Sequence, residues 1–504
     1  MDRKDNLFEL IQSLSINEKR YFKLFASRHT IGEKNNYLVV FEAIERQKKY
    51  DEKVTAVELL KKHRIGNFRF YKHYLYKLIL KSLSAFHSEN AVEAQLQEQL
   101  HYISILSDKK LFSQAEKLIK KSKLLALTNE RHIYLLELMR HELNLVSFQS
   151  YQGKTEKEIE HIFNDFFKTV DIVANLFEYR QVHSRVFMNL YKNARMSDGE
   201  KVKSLQHLMQ TPLLRDKRKA FSKSALARFY RCKSAYYFLM CDYEKVAENT
   251  IEEIAMLESD PVFLNNNFSQ YFSAYCNLFV SKNYLEQFDA IPAVLKKLGE
   301  ITLKQKQLFM ISFNLELGFY NNVGQFKKSI ELSQKKSKEL ERNLSRNKEW
   351  EMEFYLLIAC SYFGIGNYKL SNTYLNKILN DNEEKLNKDR YCLALIISLI
   401  NQYEMGKGQL LEYLTRSAYR FLSQHTNLYK FERVMLEFVG SSLQEVVGER
   451  DLRADFKKVK TKLEEIIKDK FEKKAFLRFD FISWLDSKIE RRPFADVIKV
   501  KRGL

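Results

Sequence analysis

The chain is expected to fold as an all-α stack of helix pairs, and three observations carry that expectation. Glycine and proline are scarce, 14 and 4 in 504 residues, which suits long uninterrupted helices and leaves no flexible linker to divide the chain. Large apolar residues recur at helical spacing through most of its length. A turn followed by an aromatic or large apolar residue returns at a nearly constant interval: Tyr243, Tyr284, Phe326, Tyr368 and Leu410 are separated by 41, 42, 42 and 42 residues. Each is read as the opening of the second helix of a pair.

The clearest unit runs from Trp350 to Asp381. Phe354, Tyr355, Ile358, Ala359 and Tyr362 share one helical face. Gly364 and Gly366 end the pattern, since glycine accepts the left-handed conformation that closes a helix. A second pattern follows through Tyr368, Leu370, Ser371, Leu375, Ile378 and Leu379. Ala359 and Ser371 are small enough to let the two helices approach. Tyr355, Ala359, Tyr362, Gly366, Tyr368 and Ser371 stand where the tetratricopeptide (TPR) pattern has its large, small, tyrosine, glycine, aromatic and small positions. The segment therefore resembles a TPR unit, although its period near 42 exceeds the usual repeat of about 34. The resemblance implies a right-handed α-solenoid. About eight helix pairs fit between residues 94 and 438, with turns expected near Lys110, Gly153, Cys241, Lys282, Gly324, Gly366 and Gly408. Phe112, with Leu106 and Ala115, starts the series. Gly153 to Phe163 is read as a second unit and Asp198 to Leu208 as a third. Pro261 is placed in an inter-repeat turn. Pro292 would interrupt the helix begun by Tyr284, so a restart near Ile291 is expected.

Residues 1–90 stand outside the repeat. Asn6 to Leu14 reads as a short helix. Ser15 and Glu18 form a capping box that opens a helix ending at Ser27, and another helix is expected from Asn35 to Lys49. Residues 55–80 give a short helix capped by Thr55, a turn at Arg64 to Asn67, and a long helix, which together resemble a helix-turn-helix. Lys61, Lys62, Arg64, Arg69 and Lys72 are candidate nucleic-acid contacts, with aromatics between them to stack on bases. The same residues also suit a capping bundle in which Phe70, Tyr74, Leu75 and Leu78 form one inward apolar face. Residues 451–504 are read as a C-terminal helical cap covering the exposed end of the stack. The tail after Pro493 is read as an extended arm or a frayed end.

The formal net charge is +20, which favours polyanions such as nucleic acid or the ribosome, or reflects a lysine-rich surface. No apolar run is long enough to span a membrane. The N-terminus lacks the apolar core of a signal peptide. The 5 cysteines form no CxxC pair and read as buried thiols in a reducing cytoplasm. No metal-ligand spacing, phosphate loop or nucleophile motif is present, so no cofactor and no enzymatic activity are expected. The favoured reading is a cytoplasmic scaffold that binds a protein or peptide partner in a groove lined by the first helices. The TPR resemblance assigns that groove to Arg228, Arg231, Phe238, Phe272, Phe279, Asn314, Asn321, Asn322, Phe363 and Gln402. The alternative is a DNA- or RNA-binding regulator using the basic N-terminal segment, with the solenoid as its sensor.

Overall fold

A computed structural model describes residues 5–27, 35–47, 50–88, 92–192, 199–381, 388–406, 414–415, 418, 429–441, 452–476 and 478–503. Among these residues every regular element is helical and there is no strand. The chain divides into two compact units, Met1–Val173 and Ala174–Leu504.

The first unit begins with α1 (Asn6–Ser13), α2 (Ile16–Ser27), α3 (Asn36–Glu45), α4 (Glu52–His63) and α5 (Phe68–Ser88). Their shared core is built on Leu7, Ile11, Phe22, Val40, Phe41, Leu59, Leu75 and Ile79. The capping box forms as expected: the Ser15 amide donates to the Glu18 carboxylate at 2.7 Å, and the Glu18 amide donates to Ser15 Oγ at 3.3 Å. The cap of α4 is Asp51, which accepts from the amides of Lys53 and Val54, and not Thr55. Thr55 is buried one turn inside that helix.

Three helices of equal length follow, α6 (Val92–Asp108), α7 (Phe112–Thr128) and α8 (His132–Phe148). They are joined by three-residue turns centred on the left-handed residues Lys110 and Glu130, so neighbours pack antiparallel. The sequence led us to expect a helix pair at Gly153 to Phe163. Instead α9 (Glu156–Lys192) is one unbroken helix of 37 residues, and the boundary between the two units falls within it. No glycine or proline interrupts this stretch, so nothing local could have ended it. The third expected unit starts outside the described residues and continues as the single helix α10 (Gly199–Met209), followed by the one-turn α11 (Pro212–Arg215).

The second unit carries the regular pairs. These are α12 (Lys223–Leu239) with α13 (Tyr243–Glu258), α15 (Phe268–Tyr284) with α16 (Ile291–Lys304), α17 (Phe309–Asn322) with α18 (Phe326–Lys335), and α20 (Lys348–Gly364) with α21 (Tyr368–Leu379). Short helices α14 (Pro261–Asn266) and α19 (Ser337–Asn343) lie between pairs, and α22 (Lys388–Glu404) opens the next. Pro261 occupies the first turn of α14, where its missing N–H costs no hydrogen bond.

Each first helix ends the same way. A residue with positive φ follows it: Cys241, Glu286, Gly324, Gly366 and Gly406. In the four complete pairs the next amide then donates back five residues: Asp242 to Tyr237, Gln287 to Lys282, Gln325 to Tyr320 and Asn367 to Tyr362, at 2.8–2.9 Å. This Schellman closure satisfies the free carbonyls of the helix end. The left-handed residues are 45, 38, 42 and 40 apart, so the strict interval of 42 does not hold.

The slip arises at Tyr284, which ends α15 rather than opening a helix. The turn lies at Glu286, not Lys282, and α16 starts at Ile291 with Pro292 in its first turn. Tyr284 fits the tyrosine pattern because it stacks on Tyr243 of the preceding pair, ring centroids 4.0 Å apart and nearly parallel. The turn expected at Gly408 and the helix expected at Leu410 lie outside the described residues.

The C-terminal part comprises α23 (Lys430–Ser441), α24 (Arg453–Ile466), α25 (Lys470–Phe476), α26 (Phe481–Glu490) and α27 (Phe494–Lys501). The tail is thus a helix, neither extended nor frayed, with Val497 and Ile498 buried.

Candidate functional site

The ten residues assigned to the groove separate into three groups. Phe272 and Phe279 are 2% and 4% exposed and belong to the core around α15, so they are not groove residues. Both sit at helical spacing from apolar neighbours, and on α15 aromatic and small polar residues are spread around the helix, so the pattern gives no sign of which side faces inward. Asn314 and Gln402 are likewise interior. The Asn314 side-chain amide donates to the Trp350 carbonyl at 3.0 Å, and that of Asn321 to the Leu357 carbonyl at 2.8 Å. Both bonds join residues 36 apart, from α17 to α20. Being seven residues apart, the two asparagines lie on one face of α17 and fix the register of successive first helices. Asn322 does the same on the other side, donating to Asn283 Oδ1 at 3.0 Å.

The second group, Asn321, Asn322 and Phe363, lies beneath the chain's own C-terminal segment. That segment does more than close an end. It runs back along the C-terminal ends of the first helices, from α22 towards α15. At α22, Trp484 Nε1 donates to Glu404 at 2.7 Å and Lys488 pairs with the same carboxylate at 2.5 Å. At α20, the buried Phe363 ring meets Phe479 and Phe494 edge-on, with centroids 5.0 and 5.5 Å away. At the α17 turn, Phe494 stacks on Phe326 at 5.6 Å. Gly324 lies so close to α27 that a Cβ there would sit 2.9 Å from the Ala495 carbonyl oxygen. At the α15 turn, Arg502 pairs with Glu286 at 2.6 Å and lies over the Phe288 ring.

The chemistry of this seat is consistent. First-helix C-termini carry the negative end of the helix dipole, Glu404 and Glu286 reinforce it at α22 and α15, and Lys488 and Arg502 arrive there from the segment. A cavity of about 160 Å³ remains between the two layers, lined by Asn321, Asn322, Cys360, Arg478, Phe479 and Arg502 among others. Arg478 is exposed and lines this cavity. Its charge is favoured first by Glu353, which outweighs the opposing burial. Burial pushes the Glu353 carboxyl up, but Arg478 and Arg390 more than offset this and hold it below its ordinary range. Glu286, Glu353 and Glu404 were not singled out from the sequence. The signal present was an acid at the ends of two of these helices, Glu286 just after α15 and Glu404 at the end of α22, matched by a C-terminal stretch rich in arginine, lysine and phenylalanine.

The third group stays open. Arg231 and Phe238 line a second cavity of about 240 Å³ with Phe187, Ser234, Glu253 and Asn277. Arg231 lies over the Phe187 ring at 5.3 Å. Arg228 sits one turn away and donates to the Ser224 carbonyl at 3.0 Å. Burial, then Arg180 and Arg231, disfavour the charge of Arg228. Glu253 forms part of the lining, is 1% exposed and accepts from Gln270 at 2.8 Å. Burial raises its carboxyl to about 7, against the lowering influence of Gln270 and Arg231.

In the first unit the five basic candidates also divide. Lys72 is half-buried, held by Asp5 and by Glu52 at 2.8 Å. Burial opposes its charge, but the bonds to Asp5 and Glu52 win and keep it protonated. It is therefore unavailable to a polyanion. Lys62 pairs with Glu58 at 2.8 Å. Lys61, Arg64 and Arg69 are exposed and have no carboxylate partner among the described residues. The expected apolar face of α5 is also corrected. Leu75 and Leu78 point inward, joined by Phe68 and Ile79, but Phe70 and Tyr74 are 57% and 41% exposed.

Among the described residues no group of histidine, cysteine and carboxylate side chains could hold a metal ion. No described helix is long and apolar enough to cross a membrane. No protein-family model, curated protein or solved structure matches this chain.

Proposed function

We propose that the chain is a non-catalytic, cytoplasmic scaffold, a right-handed solenoid of TPR-like helix pairs that binds a protein or peptide partner along its first helices. One observation supports this above others. The first-helix ends already receive a helical segment, residues 479–502 of the same chain, through paired carboxylates and a phenylalanine cluster. A surface that seats one such segment has the backbone dipoles and acidic and aromatic side chains to seat another. The cavity lined by Arg231 and Phe238 of the first helix α12 and Asn277 of the first helix α15 would take an acidic or apolar side chain of the partner.

The test is affinity capture on the tagged full-length chain from its native cells, with and without nuclease, using wild type and Arg231→Glu. A partner retained after nuclease and lost with Arg231→Glu is the expected result. Partners that vanish with nuclease, or that ignore Arg231→Glu, would refute the assignment of this face.

A further inference from the structure

We infer that the exposed face of α5 is a binding surface for single-stranded nucleic acid, a site independent of the second unit. Its residues are Arg69, Phe70, His73, Tyr74, Lys77 and Lys81, all exposed. At about 100° per residue they fall within an arc of roughly 140° and extend over roughly 18 Å of helix. The opposite arc carries Phe68, Leu75, Leu78 and Ile79, which are buried in the bundle. The helix therefore has no freedom to turn this face away.

Charge selects a polyanion. Residues 59–88 contain seven lysines and arginines and no acid. The nearest carboxylates are already engaged: Asp5 and Glu52 by Lys72, and Glu58 by Lys62. Arg69, Lys77 and Lys81 have no carboxylate partner among the described residues, so they keep their full attraction for phosphates. Lys61 and Arg64, in and beside the turn that precedes α5, extend the basic surface.

The aromatics select a single strand. Phe70 and Tyr74 leave large ring area in water on a helix that had buried positions to offer. Tyr74 is held in place by an offset stack on Tyr37, with centroids 4.5 Å apart. Phe70 is braced edge-on by Tyr71 at 5.8 Å. Rigid exposed rings interleaved with cations are a stacking platform for unpaired bases. A duplex offers no free base faces to such rings, and an acidic protein would need the cations alone.

The experiment is fluorescence anisotropy of the full-length protein with labelled dT12, U12 and a 12-base-pair duplex, over a range of salt. Wild type should bind both single strands more tightly than the duplex. Its log affinity should fall linearly with log salt, by about 0.7 per phosphate contacted. The triple reversal Arg69→Glu, Lys77→Glu, Lys81→Glu should remove binding. The pair Phe70→Ala, Tyr74→Ala should weaken dT12 and U12 by about tenfold or more, as expected for lost base stacking, and leave the weak duplex binding unchanged. The three cations are exposed and have no carboxylate partner among the described residues, so the triple reversal should melt with wild type. The aromatic pair gives up the Tyr37 stack, worth about 0.5–1.5 kcal/mol, and its unchanged duplex binding is the control that it remains folded. A tighter fit to U12 than to dT12 would assign the site to RNA, and the reverse to DNA. Equal affinity for duplex and single strand, or an aromatic pair that binds as wild type, would overturn the proposal. So would binding to anionic vesicles with none to oligonucleotides.

Discussion

Replacing Phe494 by alanine should release α27 from the first-helix ends while leaving the helix pairs intact. Phe494 touches the rings of Phe326, Phe363 and Phe479, each with its centroid 5.5–5.6 Å away. Truncating a fully buried phenylalanine costs about 3–5 kcal/mol. Phe494 is only half-buried, so about 2 kcal/mol is the appropriate figure. The eight residues of α27 are too few to remain helical without a partner, and undocking therefore exposes their amides. Two kcal/mol corresponds to about a thirtyfold change in that opening equilibrium. Hydrogen exchange followed by mass spectrometry on the full-length protein should show residues 494–502 exchanging about thirtyfold faster. Residues 348–379 should be unaffected. Exchange of the tail within threefold of wild type would mean that the phenylalanine cluster does not hold the segment, and the account of the seat would fail.

Three further outcomes follow from particular residues. Gly324→Ala meets both a positive φ and the Ala495 carbonyl, whereas Gly366→Ala meets a positive φ with open space around it. Both should lose about 1–2 kcal/mol from the backbone, but only Gly324→Ala should also speed exchange in α27; equal exchange in the two variants would contradict the close approach. Ala359→Trp fills a fully buried position between α20 and α21 and should lower stability by about 1–3 kcal/mol or more, so a melt that coincides with wild type would undo the pairing of these helices. Glu253 holds a proton in the folded state that the unfolded chain has already lost between its ordinary value of 4.5 and about 7, so its contribution declines as pH rises through that window. Glu253→Gln keeps an acceptor for Gln270 and should gain up to about 3 kcal/mol over wild type at pH 8, with no gain at pH 4.5; equal stability at both pH values would show that the carboxylate is solvated.

The sequence by itself determined the helical class and several of the helix ends, among them those at Lys110, Cys241, Gly324 and Gly366. Those features are local: apolar spacing fixes a helix face, and Gly324, Gly366 or a capping box fixes where a helix stops or starts. The unit at Trp350 to Asp381 was legible for that reason, down to the burial of Ala359 and Ser371. Turns built on non-glycine residues were harder. Glu286 adopts the left-handed conformation because its amide neighbours complete the Schellman bond, and nothing in its side chain announces this. The tyrosine two residues earlier then took the role of marker, although its spacing reflects a stack on Tyr243.

The tertiary structure alone decided which faces are free. Asn314 and Asn321 look like groove residues until α20 supplies the carbonyls they bond, 36 residues on. Lys72 looks like a phosphate contact until Asp5 and Glu52 close on it. Phe70 and Tyr74 looked like core until Phe68 and Ile79 took the inner side of α5. The return of residues 479–502 along the first-helix ends joins positions about 80 to 220 apart in the chain, such as Trp484 with Glu404 and Arg502 with Glu286. Periodicity reports only on neighbours within a few turns. Contacts at that separation depend on which loops the rest of the core has already closed, so they become visible only when the whole unit is assembled.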